Sequence, residues 1–139
     1  MIVLDTNVLS ELMRPAPSEA VERWVAAHPA SSLFTTTITQ SEILYGVALL
    51  PRGRKRSAIE EAVEATFEED FAGRILPFDT AAARAFAAVA VERRKAGRPI
   101  GQLDAQIAAI AQSRSAAVAT RNVSDFEGCG LIVHNPWQD

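Results

Sequence analysis

Three acidic side chains are spaced along the chain so that each falls where a predicted strand ends or a predicted helix begins. Asp5 directly follows the apolar run Ile2–Leu4 and precedes a segment whose apolar residues recur at helical spacing. Glu42 and Asp104 are each expected in the first turn of a helix. Carboxylates that lie close together repel each other unless a cation lies between them. If these three acids meet, they predict a site for a divalent cation.

A further polar segment follows the strand that we predict at residues 117–120. It contains Asn122 and Asp125, which add an amide oxygen and a carboxylate to the candidate ligands. Thr6 and Thr120 stand at matching strand ends, and we expect their hydroxyls to orient the carboxylates or a water molecule. Oxygen ligands of this kind suit Mg²⁺ or Mn²⁺ rather than zinc.

Strands and helices alternate along the chain, which brings these segments together. We predict strands at residues 2–4, 33–36, 117–120 and 131–133, and a short strand or an extended connector at residues 74–78. This alternation indicates an α/β fold with a mainly parallel sheet and right-handed crossovers. In such crossovers, helix N-termini and strand C-termini share one edge of the sheet, which is where ligands bind. All the candidate ligands are therefore expected at that edge.

Each acid also has a purely structural explanation. Asp5 could cap the helix that follows it by accepting a backbone N–H. The pair Thr39 and Glu42 has the spacing of a capping box, and Asp104 suits the positive end of a helix dipole. Capping does not, however, require acids from three separate crossovers to converge on one edge. The cation site explains the joint pattern better than three independent caps.

A cation held by carboxylates can bind a phosphodiester, generate hydroxide from water and stabilise the leaving oxygen. The predicted reaction is therefore phosphodiester hydrolysis without a side-chain nucleophile. His28 and His134 lack metal-ligand spacing, and a pair of Cys129 with His134 lacks an acid to orient the base. We assign these three residues structural or surface roles.

The composition predicts one domain that spans residues 1–139, with a core built from Ala, Val, Leu and Ile. Hydrophobic residues make up 48% of the chain, whereas aromatic residues make up only 6%. The single cysteine has no internal disulfide partner, and no charged-then-apolar leader precedes the first strand, so we expect a cytoplasmic protein. No apolar run approaches the roughly 20 residues of a membrane span, so we expect no membrane association.

The formal net charge is −3, which argues against nucleic-acid binding through overall charge. Any contact with nucleic acid must therefore use local basic clusters, metal ions or a basic partner. Basic residues cluster in a predicted turn at Arg52–Arg56 and at a predicted helix end at Arg93–Arg98. These clusters matter because an acidic site that cleaves nucleic acid needs groups nearby that attract phosphate.

The ordered motifs of the chain resemble the PIN domain, specifically the VapC-type toxins of bacterial toxin–antitoxin pairs. The motifs that carry this resemblance are Val3–Asn7, Glu42, Asp104 and Val118–Phe126. The stretches Arg74–Asp79 and Asn135–Trp137 resemble the FitB subgroup most. The similarity covers nearly the whole chain. It implies a three-layer α/β/α fold with a small, mainly parallel sheet flanked by helices.

The resemblance implies a Mg²⁺- or Mn²⁺-dependent endoribonuclease that acts on RNA as the toxin of a type II toxin–antitoxin pair. It also implies a small antitoxin partner that binds DNA, and usually a homodimer. The family's metal-binding acids match Asp5, Glu42 and Asp104 in this sequence. We therefore expect Asp5 and Asp104 to hold the main cation, and Glu42 to assist as a ligand or as a base.

The fourth position of the family site differs in this chain. Several relatives have aspartate where this sequence has Asn122, which can ligate through its carbonyl oxygen but brings no charge. Asp125 is the nearby acid that would compensate, and we expect Asn122 or Asp125 to contribute through water. Thr120 matches a hydroxyl that is often found beside the family's site.

Two other functions fit parts of the pattern. A receiver-like or phosphatase-like domain would use Asp5 as a phosphoryl acceptor, but the stretch Asp5–Asn7 lacks the second nearby acid that such sites use to hold magnesium. The more serious alternative is a catalytically weak PIN domain that mainly binds a DNA-binding antitoxin, with Asn122 marking the weakened site. RNA hydrolysis by a toxin is the function that we predict.

Overall fold

A five-stranded sheet forms the centre of the fold in the computed structural model, which describes residues 1–139. In chain order the strands are β1 (Ile2–Leu4), β2 (Leu33–Thr36), β3 (Ile75–Leu76), β4 (Ala117–Ala119) and β5 (Val133–His134). Their order across the sheet is β3-β2-β1-β4-β5, and all four pairings are parallel. The predicted α/β fold with a mainly parallel sheet is confirmed.

Seven helices connect the strands. They are α1 (Thr6–Leu12), α2 (Glu19–Ala26), α3 (Thr37–Ala48), α4 (Arg54–Ala65), α5 (Thr80–Lys95), α6 (Gln102–Ser113) and α7 (Val123–Phe126). A single 3₁₀ turn at Ala30–Ser32 precedes β2, and a π-helical turn at Thr66–Asp70 extends α4. None of these helices combines the length and the apolarity that a membrane span needs.

Two apolar clusters cover the two faces of the sheet. Successive residues of a strand point to opposite faces, so Val3 of β1 belongs to one cluster and Leu4 to the other. On the first face α6 buries Ile107, and on the second face α1 and α2 bury Val8 and Val21. Helices therefore cover both faces of the sheet, and the expected three-layer α/β/α architecture is confirmed.

The start of α3 differs from the prediction. The helix begins at Thr37, because the Thr36 hydroxyl caps it by accepting the Thr39 backbone N–H at 3.0 Å. Glu42 consequently lies in the second turn of α3, and the prediction that it lies in the first turn is wrong. The predicted capping box between Thr39 and Glu42 is also wrong, since Thr36 provides the cap.

Other boundaries also differ. The predicted basic turn at residues 52–56 is partly helical, because α4 begins at Arg54. The polar segment after β4 contains the short helix α7, which periodicity over four residues cannot reveal. Within residues 74–78 only Ile75–Leu76 forms a strand, where the backbone pairs with β2. The last strand lies at Val133–His134, where it pairs with β4, rather than at the predicted 131–133.

The carboxyl ends of the central strands are joined by backbone hydrogen bonds just where the candidate ligands begin. Asp5 N–H donates to Ala119 O at 2.9 Å, and Thr120 N–H donates to His134 O at 2.9 Å. Helix α6 brings Asp104 to this edge in its first turn. Asp79, which caps α5, lies at the far end of α6, 3.7 Å from Arg114.

Candidate active site

A polar pocket of about 420 Å³ lies at the carboxyl edge of the sheet, and none of its lining residues is hydrophobic. Three helices and two strand ends contribute to it. The lining residues are Asp5, Thr6, Asn7, Ser10, Glu42, Asp104 and Asn122. We call this the acidic pocket. All three predicted metal-binding acids face the same pocket, as the crossover argument requires.

Asp5 is the most tightly held acid of the acidic pocket, with only 5% of its surface exposed. Its Oδ1 accepts the Thr6 backbone N–H at 2.8 Å, so it also caps α1. Its Oδ2 accepts the Thr120 hydroxyl at 2.8 Å and the Asn7 side-chain amide at 3.2 Å. Capping therefore accounts for one carboxylate oxygen only, and the other is oriented by side chains from β1–α1 and β4.

Glu42 is held from the neighbouring crossover. The Thr6 hydroxyl donates to Glu42 Oε1 at 2.8 Å and lies 3.0 Å from the Thr39 hydroxyl. The two predicted orienting hydroxyls, Thr6 and Thr120, thus each contact one of the acids. Because Thr36 rather than Thr39 caps α3, the helix begins earlier than predicted and Glu42 reaches the pocket from its second turn.

The remaining candidates lack such support. Asp104 lies in the first turn of α6, and neither its carboxylate nor the side chain of Asn122 forms a hydrogen bond or an ion pair within the chain. Asn122 is exposed, and its backbone N–H donates to the Thr120 hydroxyl at 3.0 Å. Asp125 is half-buried in α7 and does not line the acidic pocket.

The electrostatics of the pocket reflect both burial and like charges. Burial raises the pKa of Asp5, hydrogen bonds from Thr120 and Thr6 oppose this rise, and the charges of Glu42 and Asp125 add to it. Burial also raises the pKa of Asp104, and the charges of Asp5 and Asp125 raise it further, whereas Arg93 lowers it. Asp125 is therefore electrostatically coupled to both acids although it lies outside the pocket.

The donor set fits a hard divalent cation in its chemistry. Every potential ligand in the acidic pocket is an oxygen or an amide group, and the charges of Asp5 and Asp104 interact unfavourably. No three acidic, histidine or cysteine side chains are arranged to enclose a metal ion by themselves. Mg²⁺ is usually bound through one or two carboxylates, with water and substrate oxygens as its other ligands. Two carboxylates, Asp5 and Asp104, meet that requirement.

Asn7 is a site residue that the sequence did not single out for a role. Its amide donates to Asp5 Oδ2 and, at 3.3 Å, to the Thr120 hydroxyl, while its carbonyl accepts the Arg121 backbone N–H at 3.1 Å. It therefore links the end of β1 to the end of β4. Its place two residues after Asp5 was the only available signal, because two of its three contacts are with residues more than a hundred positions away.

Arg93 supports the other side of the site and was predicted only as part of a basic cluster. Its side chain is 6% exposed, and its guanidinium donates to the carbonyls of Arg98 at 2.6 Å and of Asp125 and Glu127 at 2.8 Å. These bonds tie α5 to α7. Arg93 thereby holds the short helix that carries Asp125.

The histidines and the cysteine lie outside the acidic pocket. The His28 ring contacts Trp24, with ring centroids 4.2 Å apart, and its Nδ1 is 2.7 Å from Trp24 O. His134 belongs to β5, and Cys129 is buried beside Arg93, where burial raises the pKa of its thiol. These surroundings agree with the structural roles predicted for the three residues.

The fold and the acidic pocket define a three-layer parallel α/β domain that presents carboxylates at the carboxyl edge of its sheet. The sequence model of the PIN domain matches residues 2–127. The chain belongs to the PIN domain family.

Comparison with individual proteins agrees with this assignment. The chain is 41% identical over 138 residues to the VapC ribonuclease Y4jK of Sinorhizobium fredii, covering 99% of each protein. It is 40% identical to the toxin FitB of Neisseria gonorrhoeae over the full length of both. The solved structure of FitAB bound to an IR36 DNA fragment matches with a TM-score of 0.94, at 40% identity, covering 100% of this chain and 97% of that chain. The predicted resemblance to VapC-type toxins and to FitB is confirmed.

Proposed function

We propose that this chain is an endoribonuclease that depends on Mg²⁺ or Mn²⁺ and acts as the toxin of a toxin–antitoxin pair. One observation carries the proposal: Asp5, Glu42 and Asp104, from three separate crossovers, line one pocket that contains no apolar residue. The names of the relatives support the substrate, since a VapC ribonuclease and a toxin are similar to this chain over almost its whole length.

In the proposed mechanism, Asp5 and Asp104 would hold the cation. When bound, the cation would activate water, bind the scissile phosphate and stabilise the leaving oxygen. Hydrogen bonds from Thr120 and Asn7 keep the Asp5 carboxylate in one orientation. The carboxylate therefore does not need to reorient during the reaction. The sheet edge thus supplies a fixed carboxylate, and α6 supplies a second one.

Glu42 is the candidate base. Glu42 lines the acidic pocket; its Oε1 accepts the Thr6 hydroxyl, while Oε2 makes no hydrogen bond within the chain. A carboxylate fixed through one oxygen can accept a proton from water through the other. Asn122 lines the same pocket, and Asp125 is coupled to it by charge, so we assign both residues contacts through water.

An RNA cleavage assay tests this proposal. The purified chain is incubated with single-stranded and structured RNA in Mg²⁺ or Mn²⁺, and then in excess chelator. We expect cleavage that the chelator stops and that Asp5→Asn reduces on the order of 100-fold or more, since loss of even a supporting contact to a metal ligand costs 10- to 100-fold. Cleavage that survives either treatment would contradict the mechanism.

Asp79→Asn is the matched control for Asp5→Asn. Both aspartates cap a helix, Asp5 on α1 and Asp79 on α5, where Asp79 Oδ1 accepts the Ala82 N–H at 2.9 Å. Asp79 lies at the far end of α6 from Asp104. If Asp5 matters only as a cap, the two substitutions will have similar effects. If Asp5 holds the cation, only Asp5→Asn will reduce cleavage.

The antitoxin partner is assigned to a groove beside the acidic pocket. A cavity of about 340 Å³ between α1, α3 and α4 shares Thr6, Ser10 and Glu42 with the pocket and continues along apolar side chains that include Val47. A second cavity of about 420 Å³ continues from Val47 past Leu44, which is 50% exposed. The FitAB structure supports a protein partner of this kind. An apolar segment of the antitoxin in this groove would block access to the acids.

Copurification tests the groove. If a short open reading frame for a DNA-binding protein neighbours the gene of this chain, co-expression of the two is expected to give a complex that Leu44→Glu disrupts. Leu103→Glu is the control, because Leu103 is similarly exposed (48%) but does not line the groove. A complex that is equally sensitive to both changes, or to neither, would contradict this location.

The same experiment separates the two candidate functions. A catalytically weak binding domain would form the complex but would show no metal-dependent RNA cleavage when freed from its partner. The homodimer and the cytoplasmic location stay predictions. Light scattering in solution would test the first, and cell fractionation the second.

A further inference from the structure

Arg121 stands next to the acidic pocket with its charge unused. It lies between Thr120, which donates to Asp5, and Asn122, which lines the pocket. The side chain is exposed and makes no salt bridge with any carboxylate of the chain. An exposed cation beside a cluster of acids would normally pair with one of them. Arg121 is instead held away from the acids by other contacts.

Those contacts fix Arg121 at both ends. Its backbone N–H donates to Asn7 Oδ1 at 3.1 Å, which ties it to the side chain that orients Asp5. Its guanidinium carbon lies 5.1 Å from the centroid of the Trp137 ring, within the range of a cation–π interaction. The guanidinium therefore has a defined position, with its N–H donors left free for a ligand.

Trp137 is itself held in place. Its backbone N–H donates to Asn135 Oδ1 at 3.0 Å, and the Asn135 N–H donates to Asp139 Oδ2 at 2.8 Å, so the end of the chain forms a tight turn. The Trp137 ring packs against the apolar cluster on the α1–α2 face of the sheet. The ring is thus a fixed surface against which the Arg121 guanidinium packs.

The other arginines near this edge are already engaged. Arg93 is buried, and its guanidinium donates to backbone carbonyls. Arg98 forms a salt bridge with Glu127 at 3.2 Å. A pocket lined by carboxylates repels the phosphates of a nucleic acid, so binding requires positive charge close by. Arg121 is placed to supply that charge.

We propose that Arg121, positioned by Trp137, binds a backbone phosphate of the RNA strand beside the bond that is cut. This assignment rests on the proposed function and names one substrate-binding contact of that site. Arginine suits the task, because its planar guanidinium donates two parallel N–H bonds to phosphate oxygens. Arg121 is the binding residue, and Trp137 is a positioning residue that acts through it.

The test measures binding separately from cleavage. The affinity of a fluorescent single-stranded RNA of mixed sequence is measured by anisotropy over a range of KCl concentrations, in chelator so that no metal-dependent cleavage occurs. Each phosphate contact contributes about −0.7 to the slope of log K against log salt for single strands. Arg121→Gln is expected to weaken binding about tenfold at low salt and to make the slope shallower by about 0.7.

Two further substitutions separate charge from position. Trp137→Leu keeps the charge of Arg121 but removes the aromatic ring that supports it. We therefore expect RNA binding that is about two- to fivefold weaker, with an unchanged slope of log K against log salt. Trp137→Phe keeps an aromatic ring and is expected to restore the affinity. Thermal melting of both variants shows whether they fold. A Trp137→Phe variant that folds and binds as weakly as Trp137→Leu would contradict the positioning role.

Arg114→Gln is the control for lost charge. Arg114 is also partly exposed, but it ends α6 at the far side of the molecule from Asp104 and pairs with Asp79. It should leave both affinity and slope unchanged. The proposal is overturned if Arg121→Gln binds RNA with the wild-type affinity and slope, if Arg114→Gln weakens binding equally, or if the wild-type chain does not bind RNA.

Cleavage kinetics distinguish this proposal from the proposed function. Loss of a contact made equally in the ground state and the transition state raises KM and leaves kcat unchanged. We expect that pattern for Arg121→Gln in Mg²⁺. RNA binding that depends on Arg121 without any cleavage would contradict the ribonuclease assignment alone. Normal cleavage with an unchanged KM in Arg121→Gln would contradict the phosphate contact alone.

Discussion

The acidic pocket has two halves that are built differently. In the half formed by β1, α1, α3 and the end of β4, each acid accepts hydrogen bonds from side chains of the chain: Thr120 and Asn7 bind Asp5, and Thr6 binds Glu42. In the half formed by α6 and the N-cap of α7, the side chains of Asp104 and Asn122 make no hydrogen bond within the chain. We call these the fixed half and the free half.

The difference shows how one site can combine side chains held in fixed positions with side chains that are free to move. In the fixed half, β1 ends one residue before Asp5, and the Asp5 backbone N–H is bonded to Ala119 O of β4, so the backbone itself determines where Asp5 lies. The free half depends on the first turn of α6 and the N-cap of α7, and the charge of Asp5 disfavours the ionised form of Asp104. We infer that the fixed half defines the position of the cation and that the free half adjusts to it and to the substrate.

The largest effect is expected in the free half, from Asp104→Asn. RNA cleavage should fall on the order of 100-fold or more, because the second cation-binding carboxylate is lost. The melting temperature at pH 7 should nevertheless rise, by about 2 °C or on the order of 0.5 kcal/mol, because burial and the charges of Asp5 and Asp125 disfavour the ionised form of Asp104. Cleavage assays and thermal melting in chelator measure both quantities.

The stability gain from Asp104→Asn should depend on pH. The folded state raises the pKa of Asp104 above its ordinary value of 3.8. The ionised group therefore destabilises the fold fully above its folded-state pKa, and the penalty disappears as the pH falls below 3.8. The gain in melting temperature from Asp104→Asn should be largest near pH 7 and should shrink towards pH 4. A gain that grows on acidification would contradict this account.

The next effect is expected in the fixed half, from Thr120→Val. Thr120 is fully buried, and its hydroxyl donates to Asp5 and accepts the Asn122 N–H. The nearly isosteric change to valine removes both hydrogen bonds. Cleavage should fall about 10- to 100-fold, and the free energy of unfolding should fall by about 1–3 kcal/mol. Enzyme assays and urea denaturation measure the two losses. Unlike Asp104→Asn, this variant should lose both activity and stability.

Thr35→Val is the matched control for Thr120→Val. Thr35 lies in β2 and is also fully buried, but its hydroxyl has no hydrogen-bond partner. Removing an unsatisfied hydroxyl should leave the free energy of unfolding unchanged or increase it by about 1 kcal/mol, with cleavage retained. If both valine variants lose stability equally, the hydrogen bonds of Thr120 are not what holds the fixed half together.

A smaller loss is expected from Thr6→Val. The Thr6 hydroxyl holds Glu42 Oε1, and without it the base is free to rotate. Cleavage should fall about tenfold, mainly in kcat. Ser10→Ala is the control, because Ser10 lines the same pocket but is exposed and holds no acid. An equal loss in both variants would show that the pocket surface, rather than the orientation of Glu42, is responsible.

The smallest effect is expected from Asn122→Asp, which adds charge to the free half. Asn122 is exposed, so the added carboxylate should lower the Mg²⁺ concentration for half-maximal cleavage by only about two- to fivefold. Asn122→Gln keeps the amide and should leave that concentration unchanged. A metal requirement that does not differ between the two variants would exclude this position from the cation's surroundings.

Much of the acidic pocket could be predicted from local sequence. The apolar run before Asp5 and the alternation of strands and helices are sufficient to place Asp5, Glu42 and Asp104 at one edge. Glu42 was assigned to the correct helix but to the wrong turn, because Thr36 and Thr39 are both good caps and the sequence does not show which one is used. Local patterns therefore predict elements and edges more reliably than the residue at which a helix begins.

Contacts between distant segments could not be predicted. The order β3-β2-β1-β4-β5 depends on long-range strand pairing, and Asn7 matters because it meets Thr120 and Arg121 across the sheet. Arg93 was predicted only as part of a basic cluster at a helix end, yet it is buried, and three backbone carbonyls accept hydrogen bonds from it. In each case the decisive partners come from elsewhere in the chain.

Direct measurement of cation binding tests the central claim, that the two halves together form one divalent-cation site. Mn²⁺ binding to the wild-type chain, Asp104→Asn and Asp79→Asn is measured by calorimetric titration or by the electron paramagnetic resonance of free Mn²⁺. The wild type and Asp79→Asn should bind Mn²⁺ with the same affinity, and Asp104→Asn should bind it at least about tenfold more weakly. Equal affinity in all three proteins, or no binding by the wild type, would contradict the claim.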